Sequence, residues 1–167
     1  MNSIITQPSL KDVKDLDSYE KGVLFENYIV TLFNQRKFRL LEWRGDKRAS
    51  NGVLPESSSK PDLEFAFLRR RDIRFAIECK WRSQFYNGGI YWADRYKIDK
   101  YLEFQYQNNI NVLVAIGVGG HPSNPAKLFV TPLDHICMYT EVFESYLMQY
   151  KRVPENVSED AEQLKLF

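Results

Sequence analysis

Asp62, Glu78 and Lys80 are three charges on a segment, KPDLEFAFLRRRDIRFAIECKW (60–81), whose apolar alternation otherwise reads as two β-strands meant for a core. Side chains alternate across a strand, so Phe75, Ile77, Cys79 and Trp81 share one face while Arg74, Ala76, Glu78 and Lys80 share the other. In the preceding strand Leu63, Phe65 and Phe67 form the apolar face, with Asp62, Glu64 and Ala66 opposite. Matching the apolar faces restricts the antiparallel register, and a turn centred on Arg70 sets Asp62 across from Glu78. Two carboxylates and a lysine then meet at one end of the hairpin. Adjacent carboxylates repel, and desolvation adds to the cost, so such a pair calls for a cation. Lys80 supplies part of that charge and a divalent metal can supply the rest. Carboxylate oxygens are what Mg²⁺ accepts, one or two per ion, with waters and phosphate oxygens completing its shell.

A fourth charge belongs to the first expected helix. At one residue per 100°, Tyr19, Gly22, Val23, Ile29, Val30 and Phe33 all fall within about 60° of Glu26, which puts that carboxylate at the centre of the inward face. Gly22, one turn earlier, is expected to let the helix lie close to another element. An inward glutamate needs a partner, and the metal site offers one.

Pro61-Asp62, the Glu78-Cys79-Lys80 triplet, and GVLFE ending in Glu26 together resemble the PD-(D/E)xK nuclease superfamily, in particular its Holliday-junction-resolvase-like and Mrr-like restriction members. The resemblance covers residues 18–132. It implies that Asp62 and Glu78 hold Mg²⁺, with Mn²⁺ able to substitute, that Glu26 supports the metal site, and that Lys80 activates or positions the attacking water. Glu26, Asp62, Glu78 and Lys80 are thus the expected catalytic set. Some members add Gln-x-x-x-Tyr on the following helix, where this chain has Lys97-x-x-x-Tyr101. The resemblance also implies a metal-dependent DNA endonuclease of repair, recombination or restriction; the alternative is a non-catalytic DNA-binding or adaptor module that keeps the fold. Many such nucleases act as two-fold dimers, so a homodimer is a further expectation.

The elements that must position these residues follow from periodicity and turn chemistry. A helix is expected over 17–36, a strand over 37–44, a polar loop over 45–60, and the two hairpin strands over 62–68 and 73–81. An irregular aromatic stretch (83–93) leads to a helix at 94–108. The apolar run 111–118 reads as a strand buried on both faces, with the GVGG at 117–120 as the turn that ends it, followed by a strand at 127–133 and a third helix at 134–151. The order α-β-β-β-α-β-β gives an antiparallel meander and a helical crossover, hence an α/β fold, a three-layer α/β/α domain with a central mixed sheet, which the resemblance implies to be restriction-endonuclease-like. Residues 1–153 are expected to form this domain and 154–167 a mobile acidic tail.

A chain of 167 residues suits one domain, and no apolar run approaches a membrane span. The opening stretch lacks a basic region followed by an apolar one, so a cytoplasmic protein is expected. Cys79 and Cys137 form no zinc or disulfide pattern, and two histidines, His121 and His135, exclude a His-rich metal site. With a net charge of +1, DNA contacts must come from local patches. Lys47-Arg48 and Arg69-Arg70-Arg71 are two such clusters. Around the site Arg82, Lys97 and Lys100 are expected on phosphates, with Tyr91 or Trp92 available to stack on unpaired bases; the competing reading has these aromatics close the core or form a dimer surface. Finally QLKLF (163–167) resembles the bacterial sliding-clamp-binding peptide, which would make Gln163, Leu164, Leu166 and Phe167 partner-binding; the competing reading packs these side chains back on the domain.

Overall fold

Asp17 opens the first helix by a reciprocal cap. Its carboxylate accepts from Glu20 N at 2.7 Å, and the Glu20 carboxylate accepts from Asp17 N at 2.9 Å, which satisfies two of the N–H groups a helix start leaves unpaired. The computed structural model describes residues 10–45, 59–70 and 72–167; most of the expected 45–60 loop, with Lys47-Arg48, and Arg71 lie outside them. Helix α1 runs Ser18–Leu32. Strands β1 (Phe38–Trp43), β2 (Leu63–Phe67) and β3 (Arg74–Arg82) form the meander. Helix α2 (Arg95–Asn108), capped by Asp94, carries the chain to β5 (Asn111–His121), which lies parallel to β3, and β6 (Asn124–Pro132) returns antiparallel. The five-stranded order β1-β2-β3-β5-β6 is the mixed sheet expected, covered on both faces.

One face carries the cluster of Phe25, Ile29 and Phe33 from α1 with Leu63, Phe65, Phe67, Phe75, Ile77, Cys79 and Trp81. The other carries Ile98, Tyr101 and Phe104 of α2 with Ala76, Val112, Val114 and Ile116. These are the two faces assigned by alternation. The buried stripe of α1 includes Phe25, so it is centred between Phe25 and Glu26, and Glu26 sits at its flank. Gly117 on β5 admits that helix: a Cβ there would come within 2.5 Å of the Phe25 ring. The strand runs on through Gly119 and Gly120, both at positive φ, to His121, three residues beyond the 111–118 expected.

Two expected elements need correction. The 134–151 helix is broken into α3 (Leu133–Ile136), β7 (Glu141–Phe143), α4 (Glu144–Leu147) and a 3-10 turn at Met148–Tyr150. The cause is β4 (Gly89–Tyr91), inside the stretch read as irregular: it pairs antiparallel with β7, Ile90 opposite Val142, and both side chains are buried. A two-residue turn at Asn87-Gly88, both at positive φ, leads into β4.

The acidic tail is the second correction. Val157–Glu162 form helix α5, and Val157, Ala161 and Leu166 join the α1-side core, with Leu166 only 1% exposed. Phe167 meets the Phe75 ring edge-on at 5.3 Å. The two apolar anchors that a clamp peptide would present are therefore in contact with the domain itself. Lys37 Nζ pairs with Glu162 Oε2 at 2.5 Å and Asn34 N bonds Ser158 Oγ at 3.0 Å, tying the end of the chain to the turn between α1 and β1. Truncating Leu166 to Ala removes a fully buried side chain; the expected loss is about 2–5 kcal/mol in equilibrium urea unfolding, and a variant as stable as wild type would contradict this packing.

Candidate active site

The β2–β3 pairing runs from Leu63 opposite Ile77 to Ala66 opposite Arg74. Extended by one residue, this register sets Asp62 opposite Glu78, as the parity argument requires. The Asp62 side chain crosses the gap between the strands: its Oδ2 accepts from Cys79 N at 2.8 Å. Asp62 is 3% exposed and Glu78 is fully buried. Lys80 Nζ stands 2.6 Å from Glu78 Oε1, in a side chain that keeps 18% of its surface exposed. This cation therefore joins a buried carboxylate to the solvent.

Three residues whose role the sequence reading did not find hold this pair. Arg44 follows β1: its backbone N donates to Asp62 O at 2.7 Å, its Nη1 to Pro61 O at 3.0 Å and its Nη2 to Glu64 Oε2 at 3.2 Å. Its guanidinium lies over the Phe104 ring of α2, 5.6 Å from the centroid. Glu64, buried on the same face as Glu78, is also reached by Arg74 Nη1 at 3.3 Å, so its charge is answered by two arginines. Tyr101, fully buried on α2, is the third: burial first, and then the neighbouring Glu78 carboxylate, push its phenol far above the ordinary range, so it stays a neutral O–H beside that carboxylate. Tyr101 is the second residue of the Lys97-x-x-x-Tyr101 pattern, and alternation could have found Glu64; nothing local to Arg44 marks it.

Glu26 takes a different partner. Its Oε2 accepts from Trp43 Nε1 at 2.7 Å, and a Cβ on Gly45 would come within 2.8 Å of that same oxygen, so the chain leaving β1 closes over it. Among the described residues no three His, Cys, Asp or Glu side chains come together as a metal-binding group. The converging acidic pair is Asp62 and Glu78, with Glu26 beside the adjoining strand β1.

The expected DNA contacts divide. Trp92 is fully buried and its Nε1 donates to Tyr139 O at 2.7 Å, so it packs between the β4–β7 ribbon and α2 and presents no face to a base. Tyr91, its neighbour in the alternation, is 55% exposed. Lys100 pairs with Glu103 at 2.8 Å on the outer face of α2, and Lys97 is half-buried in the first turn of that helix. Arg82 is half-buried at the end of β3, where burial lowers its pKa from the ordinary value.

No family model and no curated protein matches the chain. Among solved structures it is similar to Hjc, a Holliday junction resolvase from the archaeal hyperthermophile Archaeoglobus fulgidus, with a TM-score of 0.56 and 18% identity over 82% of this chain and 99% of that one. At that identity the likeness is one of fold. The chain therefore has the restriction-endonuclease-like fold, the architecture shared by the PD-(D/E)xK nucleases that its sequence motif resembles.

Proposed function

We propose that this chain is a metal-dependent DNA endonuclease that hydrolyses phosphodiester bonds. The observation that carries the reading is the buried Asp62–Glu78 pair, held opposite in one hairpin, with Lys80 reaching from Glu78 to the surface. The pair fits Mg²⁺ or Mn²⁺ by its donor chemistry: two carboxylates, no thiolate or imidazole, and room in the coordination shell for waters and phosphate oxygens. It does not fit zinc, which takes three or four protein ligands. Asp62 and Glu78 would hold the ion; when bound, it would polarise the scissile phosphate and lower the pKa of the attacking water. Lys80 places a positive charge where negative charge develops on the phosphoryl oxygens. Glu26 and Trp43 brace the strand beside the site, Arg44 ties down the backbone at Pro61 and Asp62, and Tyr101 lies beside Glu78. That the similar solved structure is of a Holliday junction resolvase favours branched DNA as the first substrate to test. A homodimer, in which a second copy cuts the second strand, belongs to the same proposal.

Cleavage of linear, nicked, flapped and four-way DNA with Mg²⁺ tests the reading. Asp62→Ala and Lys80→Ala are each expected to lower single-turnover cleavage at least about 10²-fold, and chelation of the metal to abolish it; equal activity of both variants and wild type would remove the nuclease assignment.

A second prediction separates function from stability. Asp62→Asn keeps an oxygen acceptor for Cys79 N–H while deleting a charge beside Glu78. Without metal, this variant is expected to melt higher than wild type, by about 2–4 °C for each kcal/mol of repulsion relieved. Added Mg²⁺ should raise the Tm of wild type and leave the variant unmoved. A metal-free Asp62→Asn protein less stable than wild type would show that the two carboxylates do not repel.

A further inference from the structure

Ser18, Lys21 and Gly22 on the first turns of α1 face Cys79, Lys80, Trp81, Arg82 and Ser83 at the end of β3 across an open cleft of about 520 Å³. Lys80 belongs both to this cleft and to the acidic pair, so the cleft begins where the candidate active site ends. Its walls bring three cations together.

Two of those cations differ from most others on the surface. Arg44 and Arg74 share Glu64, Arg95 pairs with Asp99, and Lys100 with Glu103. Among the described residues the Arg82 side chain makes one hydrogen bond, from Nη1 to its neighbour's carbonyl, Trp81 O, at 2.9 Å, and no carboxylate there pairs with it or with Lys21. A half-buried guanidinium without an anion is an unfavourable arrangement that an anionic ligand would relieve. The helix start adds nothing here, because Asp17 and Glu20 already cap it; the side chains supply the charge.

Gly22 is the independent observation. The expectation that it lets α1 pack closely fails among the described residues, none of which has an atom within 4 Å of a Cβ placed there. Glycine inside a helix costs about 1 kcal/mol relative to alanine, and nothing in the packing of the described residues requires it. The space it leaves lies in the wall of the cleft, between Lys21 and the end of β3.

We propose that this cleft seats a backbone phosphate of the bound DNA strand, adjacent to the phosphate at Lys80, with Arg82 and Lys21 as its cationic contacts, Ser18 and Ser83 as hydroxyl donors, and Gly22 giving the sugar-phosphate chain its close approach. The adjacency rests on the nuclease reading above, whereas the contact itself does not. Arginine and lysine at such a site position the strand and carry no sequence preference. The strand would thus enter along the α1–β3 edge.

The test uses the full chain and a labelled four-way junction and linear duplex, with binding followed by anisotropy from about 50 to 200 mM salt in the presence of a chelator, so that no cleavage intervenes. Lys21→Gln and Arg82→Gln are each expected to weaken binding to both DNAs roughly tenfold and to reduce the slope of log affinity against log salt by about one. Gly22→Ala is expected to fold at least as stably as wild type, as judged by its Tm, yet to bind more weakly. A Lys21→Gln/Arg82→Gln protein with wild-type affinity and slope overturns the proposal, as does a Gly22→Ala protein that binds like wild type. If the variants behave as expected and no DNA is cut with Mg²⁺, the cleft stands and the nuclease reading falls; if cleavage depends on Asp62 and the slopes are unmoved, the reverse holds.

Discussion

Two carboxylates that repel one another are kept side by side by the register of a single hairpin, and most of the structure around them serves that constraint. A shift of one residue between β2 and β3 would turn Asp62 to the α1 side and leave Glu78 alone. The register is held by an aromatic layer in which Phe33, Phe38, Phe65, Phe67 and Phe75 meet ring on ring, with centroids 4.7 to 6.0 Å apart. On the opposite face Arg44 and Arg74 neutralise Glu64, so the row of acidic side chains facing α2 carries its repulsion only at the Asp62–Glu78 end. Burial there makes the repulsion strong, and strong repulsion is what gives a bound cation its advantage.

Lys80 is the link between this buried pair and the outside. Its nitrogen lies at 2.6 Å from one Glu78 oxygen, while the strand carrying it leads to Arg82 and the α1 cleft. Positive charge thus increases from the acidic pair outward along β3, a gradient suited to drawing a polyanion toward the site. The net charge of the chain is +1, so this attraction depends on where the charges stand rather than on how many there are.

The parts of the fold legible in the sequence were those with a strict period. Apolar residues at every second position of 63–67 and 75–81 fixed both faces and, by parity, the opposition of Asp62 and Glu78. The helix expected from residue 17 does begin there, with Asp17 as its cap, although the reciprocal part of Glu20 was not read. Legibility failed where a short apolar set fits two periods: Val142 pairs with Ile90 across a three-residue ribbon, and no local signal tells that from one turn of helix. It failed again at the tail, where acidic composition concealed Val157, Ala161 and Leu166, whose spacing brings them to one core. Tyr91 and Trp92 were offered as alternatives for stacking because the aromatic stretch follows Lys80; alternation turns one inward and the other outward, and only the pairing with β7 decides which. Arg44 was invisible because its partners Pro61 and Glu64 are distant in sequence.

Phe75 stands on β3, the strand that carries Glu78 and Lys80, and part of its cover comes from Phe167. A chain made from its N-terminus on a ribosome has produced every candidate catalytic residue long before the ring that covers Phe75 exists. Until then the α1-side core lacks Val157, Ala161, Leu166 and Phe167 and leaves apolar surface exposed. The strand that carries Glu78 and Lys80 is therefore fully covered only after synthesis has passed Phe167, so its packing waits on a segment made more than eighty residues later.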